Sequence, residues 1–420
     1  MPNEQIEIDW DYVREQRKQD RVYSKIAGDL GIHPNTLRNA CVRVGFEEPL
    51  TVIDDEGLAA FILNFYDPAM DRHAQGETQI KAALTMEGWG VTWDRLRHAL
   101  RLVDPEGVAE RSKLRKQRPS RTLYDMYQPN SLWHMDQNEK CLKKGGWYVF
   151  GIVDGGTRRI LQFTVADHKF PWIVVHGLKH AMENYGVPWE LRMDNGTENV
   201  YASDFMNRLR GHQGGGALHG VSVSNIKIEH QWLFTRWNVL DRYRTAYDSF
   251  CDRDHGYMPM QARLQTTEQK YVYKYLVMPR FKDDMDLYQV QWNTHKSKAF
   301  SPWASPNDKA LEMRHDAMPD LSMEEKQAAF QQWMAEDVPG YPPDEYAAVG
   351  QAEDPRVIRP LYDNPFVDID EQLFFEHHVG PLSLADDMYN DLQARWVYAF
   401  NVLGYIYAQR DAAAAEENEA

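Results

Sequence analysis

Three acidic residues in this chain have the types and spacing to do chemistry together: Asp136, Asp194 and Glu229. Asp194 opens Asp194-Asn195-Gly196-Thr197-Glu198-Asn199, just after the apolar run Trp189 to Leu191, and so stands where a strand should end. An Asp there is usually a turn former, but before a Gly it can also aim its carboxylate into a cleft. Asp136 closes Leu132-Trp133-His134-Met135-Asp136, and Glu229 follows Asp194 by 35 residues in Asn225-Ile226-Lys227-Ile228-Glu229. Three convergent carboxylates can hold two divalent metals about 3.5–4 Å apart, one activating a water or a DNA hydroxyl, the other stabilising a leaving phosphodiester oxygen. Hard oxygen ligands select magnesium or manganese over zinc. Without metal the charges repel, and at least one carboxyl should titrate above its ordinary range.

The elements around these acids decide whether they can meet. Ser131 to Asp136, Trp147 to Asp154 and Arg159 to Val165 read as strands, with Gly155-Gly156 in the turn between the last two. Pro171 to Tyr185 is an amphipathic helix with Val174, Leu178, Ala181, Met182 and Tyr185 on one face, ended by Gly186. Trp189 to Met193 is a fourth strand, Asp204 to Arg210 a short helix, Gly211 to Gly220 a loop and Val221 to Ser224 a fifth strand. A long helix from Ile226 to about Tyr247 carries Glu229. The order β-β-β-α-β-α-β-α predicts a mixed five-stranded sheet with helices on both faces and the first strand beside the fourth. Asp136 and Asp194 would then end adjacent strands, and the long helix could bring Glu229 to the same edge.

Composition at first argues against nucleic acid, since the net charge is −16. The distribution reverses that. From Asp316 onward 22 acids stand against five bases, so the tail carries the whole excess and the rest is nearly neutral. Arg111 to Arg121 holds six bases, including Arg115, Lys116 and Arg118, and no acid. Such a segment can track DNA phosphates, or it can be a solvated linker. No apolar run is long enough to span a membrane, and nothing near Met1 resembles a secretion signal. Three scattered cysteines suggest a reducing, intracellular setting and cannot form a Cys/His zinc site. His176 and His180, four apart on a helix, are a possible metal pair or a solvated face.

The N-terminal region is helical. Ala27, Gly31 and Leu37 have helix-turn-helix spacing, with Asn35 capping the third helix, and the alternatives are a DNA-binding unit or a structural hairpin. A second such unit is plausible from Leu58 to Leu102, with Thr92 capping the last helix. Near the acids, Asn225 could position DNA or cap a helix, and Arg236 could hold a phosphate or form a salt bridge. Glu198 and Asp154 read as turn or supporting residues, Trp232 and Trp237 as core aromatics, and Gly211 to Gly220 as a mobile loop or a plain connector. Ser383 to Gln409 could be an amphipathic helix, packed on the core or on another subunit, with Asp411 to Ala420 frayed; Glu336 to Pro355 looks like a linker.

The ordered set resembles the catalytic core of the retroviral integrase and DDE transposase superfamily, in mobile-element form. The resemblance rests on Asp136, the Asp194-to-Glu198 segment, the 35-residue gap to Glu229, and Trp292-Asn293-Thr294-His295 followed by Ser301-Pro302. It implies an α/β ribonuclease H-like core with a mixed five-stranded sheet; the N-terminal helix-turn-helix units and the mostly helical acidic C-terminal region are read from this chain's own residues and depart from the retroviral members, which have a His/Cys zinc module in front and a basic C-terminal domain. It also implies end hydrolysis and strand transfer at an Asp-Asp-Glu site with two Mg2+ or Mn2+ ions, DNA as partner, and a homo-oligomer. A domesticated DNA-binding scaffold and a non-joining nuclease are the alternatives. In a eukaryotic host the expected compartment is the nucleus. The expected division is 1–50 and 51–110 helical units, 111–130 basic linker, 131–260 catalytic core, 261–315 core extension and 316–420 acidic region.

Overall fold

The computed structural model describes residues 8–18, 23–45, 51–65, 76–109, 128–141, 143–220, 225–252, 264–296, 304–314, 320–335, 360, 362–386, 388 and 390–419. The basic segment with Arg115, Lys116 and Arg118, the Ser301-Pro302 pair and the 336–355 linker lie outside them.

The first three helices, α1 (Trp10–Lys18), α2 (Tyr23–Asp29) and α3 (Pro34–Arg43), close over Val13, Ile26, Ala27, Leu37 and Cys41. Ala27 and Leu37 are fully buried, and Gly31 makes the turn at φ +66°. The cap of α3 is His33 rather than Asn35: its Nδ1 accepts the Asn35 amide, with Pro34 in the first turn. A second group holds α4 (Asp55–Phe65), α5 (Glu77–Met86) and α6 (Trp93–Val103), with two short parallel strands, β1 (Thr51–Val52) and β2 (Trp89–Gly90). Thr92 caps α6 by accepting the Arg95 amide, as expected. Arg95 and Arg97 pair with Asp55 and Glu77 inside this group.

The central sheet has the order β5-β4-β3-β6-β7. Its strands are β3 (Leu132–Asn138), β4 (Tyr148–Asp154), β5 (Ile160–Ala166), β6 (Glu190–Met193) and β7 (Gly216–His219). The pairs β3–β4 and β4–β5 are antiparallel, whereas β3–β6 and β6–β7 are parallel. The first strand therefore sits centrally beside the fourth, as the sequence predicts.

Alternation along the strands builds a core on each face. Phe150 and Ile152 meet the Pro171–Tyr185 helix, the Val200–Arg210 helix and the Met323–Ala335 helix on one side. Val149 and Val153 meet the helix carrying Glu229 and the long helix Thr267–Thr294 on the other. A register shift between Ile152 and Val153 leaves Leu161 as an extra residue of β5, so Leu161 and Phe163 enter opposite cores despite their spacing of two.

The fifth strand corrects the expectation. Val221 to Ser224 lie outside the described residues, and the edge strand is Gly216–His219, within the stretch read as loop. The glycines make this possible. A Cβ on Gly215 would stand 2.4 Å from the Trp189 carbonyl, and Gly216 has φ +113° while donating its amide to that carbonyl at 2.9 Å. Only glycine lets the backbone approach β6 so closely.

The long helix Thr267–Thr294 is buried on several sides, at Tyr271, Val272, Tyr273, Leu276, Val277 and Phe281, because the sheet and the C-terminal helices both cover it. Its last turn closes the edge of β5. Asn293 Oδ1 accepts the Ile160 amide at 2.9 Å, its Nδ2 donates to the Ile160 carbonyl at 2.8 Å, and Trp292 Nε1 donates to the Arg158 carbonyl at 2.9 Å. A side-chain amide here completes an edge that a further strand would otherwise pair. The C-terminal amphipathic helix packs on the core through Leu392, Trp396, Ala399, Leu403 and Ile406, with Met388 joining the same core from just before it. It runs Asn390–Glu419, starting later than expected and continuing through the segment expected to fray. Among the described residues no helix is long and apolar enough to cross a membrane.

Candidate active site

Register brings the first two acids level. His134 on β3 pairs with Arg192 on β6, so Asp136 and Asp194, each two residues further on, lie at the same height. Neighbouring strands are about 4.8 Å apart, which sets the two acids side by side at the sheet edge. Glu229 is in the first turn of the Ile226–Thr235 helix, which packs across β3 and β4 and leaves Glu229 exposed.

Each side chain has identifiable restraints. Asp194 Oδ1 accepts from the Gly196 amide at 3.2 Å and from Asn199 Nδ2 at 2.7 Å. Asp136 Oδ2 accepts from Trp232 Nε1 at 2.8 Å. Burial pushes the Asp136 carboxyl up to about 6; the charges of Glu229 and Asp194 add to that, while hydrogen bonds from Trp232 and the Gln137 backbone oppose it. Mutual repulsion between the acids is therefore felt at Asp136, although burial is the larger cause.

The donor chemistry suits a hard divalent cation: carboxylate oxygens with neutral hydrogen-bond donors. The grouping is looser than a ligand shell, since no three His, Cys, Asp or Glu side chains among the described residues stand close enough to hold a metal ion. In this conformation Trp232 and Asn199 take up carboxylate oxygens that a metal would share.

The base of the site is fixed by His134 and Asn225. His134 is fully buried and donates from Nδ1 to Asn225 Oδ1 at 2.7 Å, while Asn225 Nδ2 donates to the Met135 carbonyl at 2.7 Å. Burial is the main cause holding the His134 imidazole down to about 4, so it is neutral at pH 7. Asn225 occupies the helix-start position without a side-chain cap bond, and only 3% of it is exposed. This corrects both sequence readings: its amide joins the helix to β3 instead of facing a phosphate or capping the turn. Arg236 begins a π-helical turn, Arg236–Leu240, between the Ile226–Thr235 and Asp241–Cys251 helices. Its guanidinium donates to Asp241 Oδ2 at 2.9 Å and stays partly exposed, matching the salt-bridge reading.

Other expectations sort in the same way. Asp154 is buried and accepts from the Asn130 and Thr157 amides, so it builds a turn. Glu198 lies in the 3-10 turn Thr197–Asn199. The expected solvated face at His176 fails, because that ring is buried against Trp172 and Phe330, and His180 Nδ1 lies 2.8 Å from Gln162 Oε1. Trp232 is core, as read, but its hydrogen bond to Asp136 was not foreseen. Two signals were available: Trp232 follows Glu229 by three, one helical turn, and Gly151 interrupts the bulky strand Val149-Phe150-Gly151-Ile152-Val153, marking a close approach.

Asp136 lies two residues inside the end of β3, not at the end as expected, because pairing with β4 continues to Asn138, whereas Asp194 directly follows β6. A five-stranded mixed sheet of this order, helices on both faces and acids on its adjacent central strands define a ribonuclease H-like core. Residues 123–307 match the integrase core domain family. The matched segment is shorter than half of the chain and spans the whole central sheet. No curated protein matches the chain. Among solved structures it is similar to the simian T-cell lymphotropic virus intasome in complex with PP2A regulatory subunit B56 gamma. The identity is 15% over 64% of this chain and 77% of that one, with a TM-score of 0.32.

Proposed function

We propose that this chain cuts and joins DNA phosphodiesters at Asp136, Asp194 and Glu229. The observation that carries the reading is the level placement of Asp136 and Asp194 on adjacent strands, with the Glu229 charge acting on Asp136. The three carboxylates would hold two Mg2+ or Mn2+ ions, which when bound activate the attacking hydroxyl and stabilise the leaving oxygen of an in-line displacement. The chain itself fixes the acids. Asn199 and the Gly196 amide orient Asp194, Trp232 orients Asp136, and Asn225 with His134 locks the helix that bears Glu229 to the strand that bears Asp136. Burial of Asp136 strengthens its interaction with any cation that displaces its proton.

The N-terminal helical groups, with Ala27, Gly31 and Leu37 at helix-turn-helix spacing, are proposed to deliver DNA, together with the basic residues Arg115, Lys116 and Arg118. A homo-oligomer holding two DNA ends in the nucleus of a eukaryotic host completes the proposal; light scattering with and without end DNA tests its stoichiometry. The central test is strand transfer with magnesium and matched element ends: it should occur with the native chain and be lost in Asp194→Asn, and full activity of that variant refutes the site.

One observation favours a second reading, a DNA-binding scaffold that kept the fold without joining: no three potential ligands among the described residues are grouped for a metal. Calorimetry separates the two. Mg2+ or Mn2+ binding that Asp136→Asn abolishes supports the enzyme, and absence of binding supports the scaffold.

A further inference from the structure

We propose that Trp232 is a positioning residue for Asp136, acting through its indole N–H, and that Gly151 exists to seat it. The proposal rests on the three-acid reading of the site. Trp232 Nε1 donates to Asp136 Oδ2 at 2.8 Å, and the residue is only 3% exposed, tilted against Phe163 with ring centroids 5.8 Å apart. Gly151 is paired directly with Asp136 across β3 and β4. A Cβ on Gly151 would stand 2.7 Å from the Trp232 Cη2 atom, 2.9 Å from Cζ2 and 3.2 Å from Ile228 Cδ1. Any side chain at 151 drives the indole off the sheet and away from the carboxylate. The strand therefore gives up a side chain in its interior, where glycine is disfavoured, at the position over which the ring lies.

The chemistry of the donor fits the task. An indole N–H is a donor only and carries no charge. It fixes the direction of the carboxylate without neutralising it, whereas a Lys or Arg in the same place would compete with a cation for the same oxygens. Trp232 also lies one helical turn beyond Glu229, so a single rigid ring ties the position of the third acid to the direction of the first. The ordinary alternative is that a buried indole merely needs an acceptor and Asp136 supplies one. The two differ in whether metal binding depends on the N–H when packing is intact.

The test uses the full chain and five proteins: native, Asp136→Asn, Trp232→Phe, Gly151→Ala, and a chain with benzothienylalanine in place of Trp232, which keeps the ring shape and replaces N–H by sulfur. Mn2+ affinity is read by calorimetry, folding by melting temperature, and DNA cutting by kcat and KM separately. The expected result is a native melting temperature for the sulfur isostere with Mn2+ affinity lowered about tenfold or more, the range found when partners that orient a ligand are removed. Its kcat should fall while KM for DNA holds. Trp232→Phe and Gly151→Ala should weaken Mn2+ binding in the same direction. Native Mn2+ affinity in a natively folded isostere overturns the positioning role while leaving the three-acid site standing, provided Asp136→Asn abolishes binding. If the native chain itself binds no Mn2+ that depends on Asp136, the site reading and this proposal fall together.

Discussion

Two groups of carboxylates in this molecule are treated in opposite ways. Behind the sheet, Asp167 and Asp363 both accept from Lys274, at 2.8 Å and 2.9 Å, and Lys274 also donates to the Tyr362 carbonyl at 2.7 Å. Nearby Asp284 is matched by Arg242, at 3.0 Å, and by the Tyr243 hydroxyl. At the sheet edge, among the described residues, Asp136 and Asp194 have neutral donors and no ion pair. The first group spends its charge inside the protein and fastens the C-terminal segment to the core. The second keeps its charge, and at Asp136 burial and neighbouring acids raise the cost of ionisation.

Breaking the second group should have the largest effect on activity and little on stability. Asp194→Asn should lower Mg2+-dependent cutting and joining by on the order of 10³-fold while the melting temperature holds or rises, because a repelling charge is removed. Breaking the first group should do the reverse. Lys274→Met leaves Asp167 buried without its cation and should cost about 3–5 kcal/mol, read by urea unfolding, with proteolysis of the segment after Tyr362 becoming easier.

A third variant sharpens the contrast by pH. Burial, with a smaller part from the Lys179 charge, holds His176 down to about 4 in the folded chain, against 6.5 for a free imidazole. Its folded pKa is depressed, so the unfolded chain takes up the proton first as pH falls. The stability tied to a neutral His176 is complete above pH 6.5 and is lost between 6.5 and 4. His176→Phe should therefore reduce the acid-induced loss of stability over that window by about 3 kcal/mol, measured by urea midpoints at pH 7 and pH 4. Asn225→Ala removes the link from His134 to the helix that bears Glu229 and should cost about 1–3 kcal/mol, with a fall in cutting from misplacement of Glu229. The smallest effect is expected at Arg236→Ala. Its partly exposed pair with Asp241 should contribute under about 1 kcal/mol, and an unchanged KM for DNA would argue that Arg236 is structural.

Much of the site was readable because its signals are local. Asp194 stands after a short apolar strand and before a Gly turn, and the helix starting at Ile226 has a periodicity that places Glu229 in its first turn. The sheet order followed from connection rules, since a helix between strands forces a crossover. The second fold group was legible through Thr92, and the C-terminal helix through the face formed by Leu392, Ala399, Leu403 and Ile406. What failed involved partners distant in sequence. The Gly216–His219 strand looks like a loop because glycine has no strand preference; only the approach to Trp189 explains it. Asn225 looks like a functional polar residue until His134 and Met135, about ninety positions away, are seen to occupy both ends of its amide.

The sequence by itself determined the order of the acids, their 35-residue gap, the alternation of the central strands and the charge imbalance of the tail, because each depends on residue types at short spacing. The tertiary structure alone decided that Asp136 and Asp194 lie level, that Trp232 holds Asp136 over Gly151, and that Lys274 binds the tail to the core. Those are contacts between segments up to roughly a hundred residues apart. Register, burial and side-chain direction exist only once the strands have paired and both faces of the sheet have been covered.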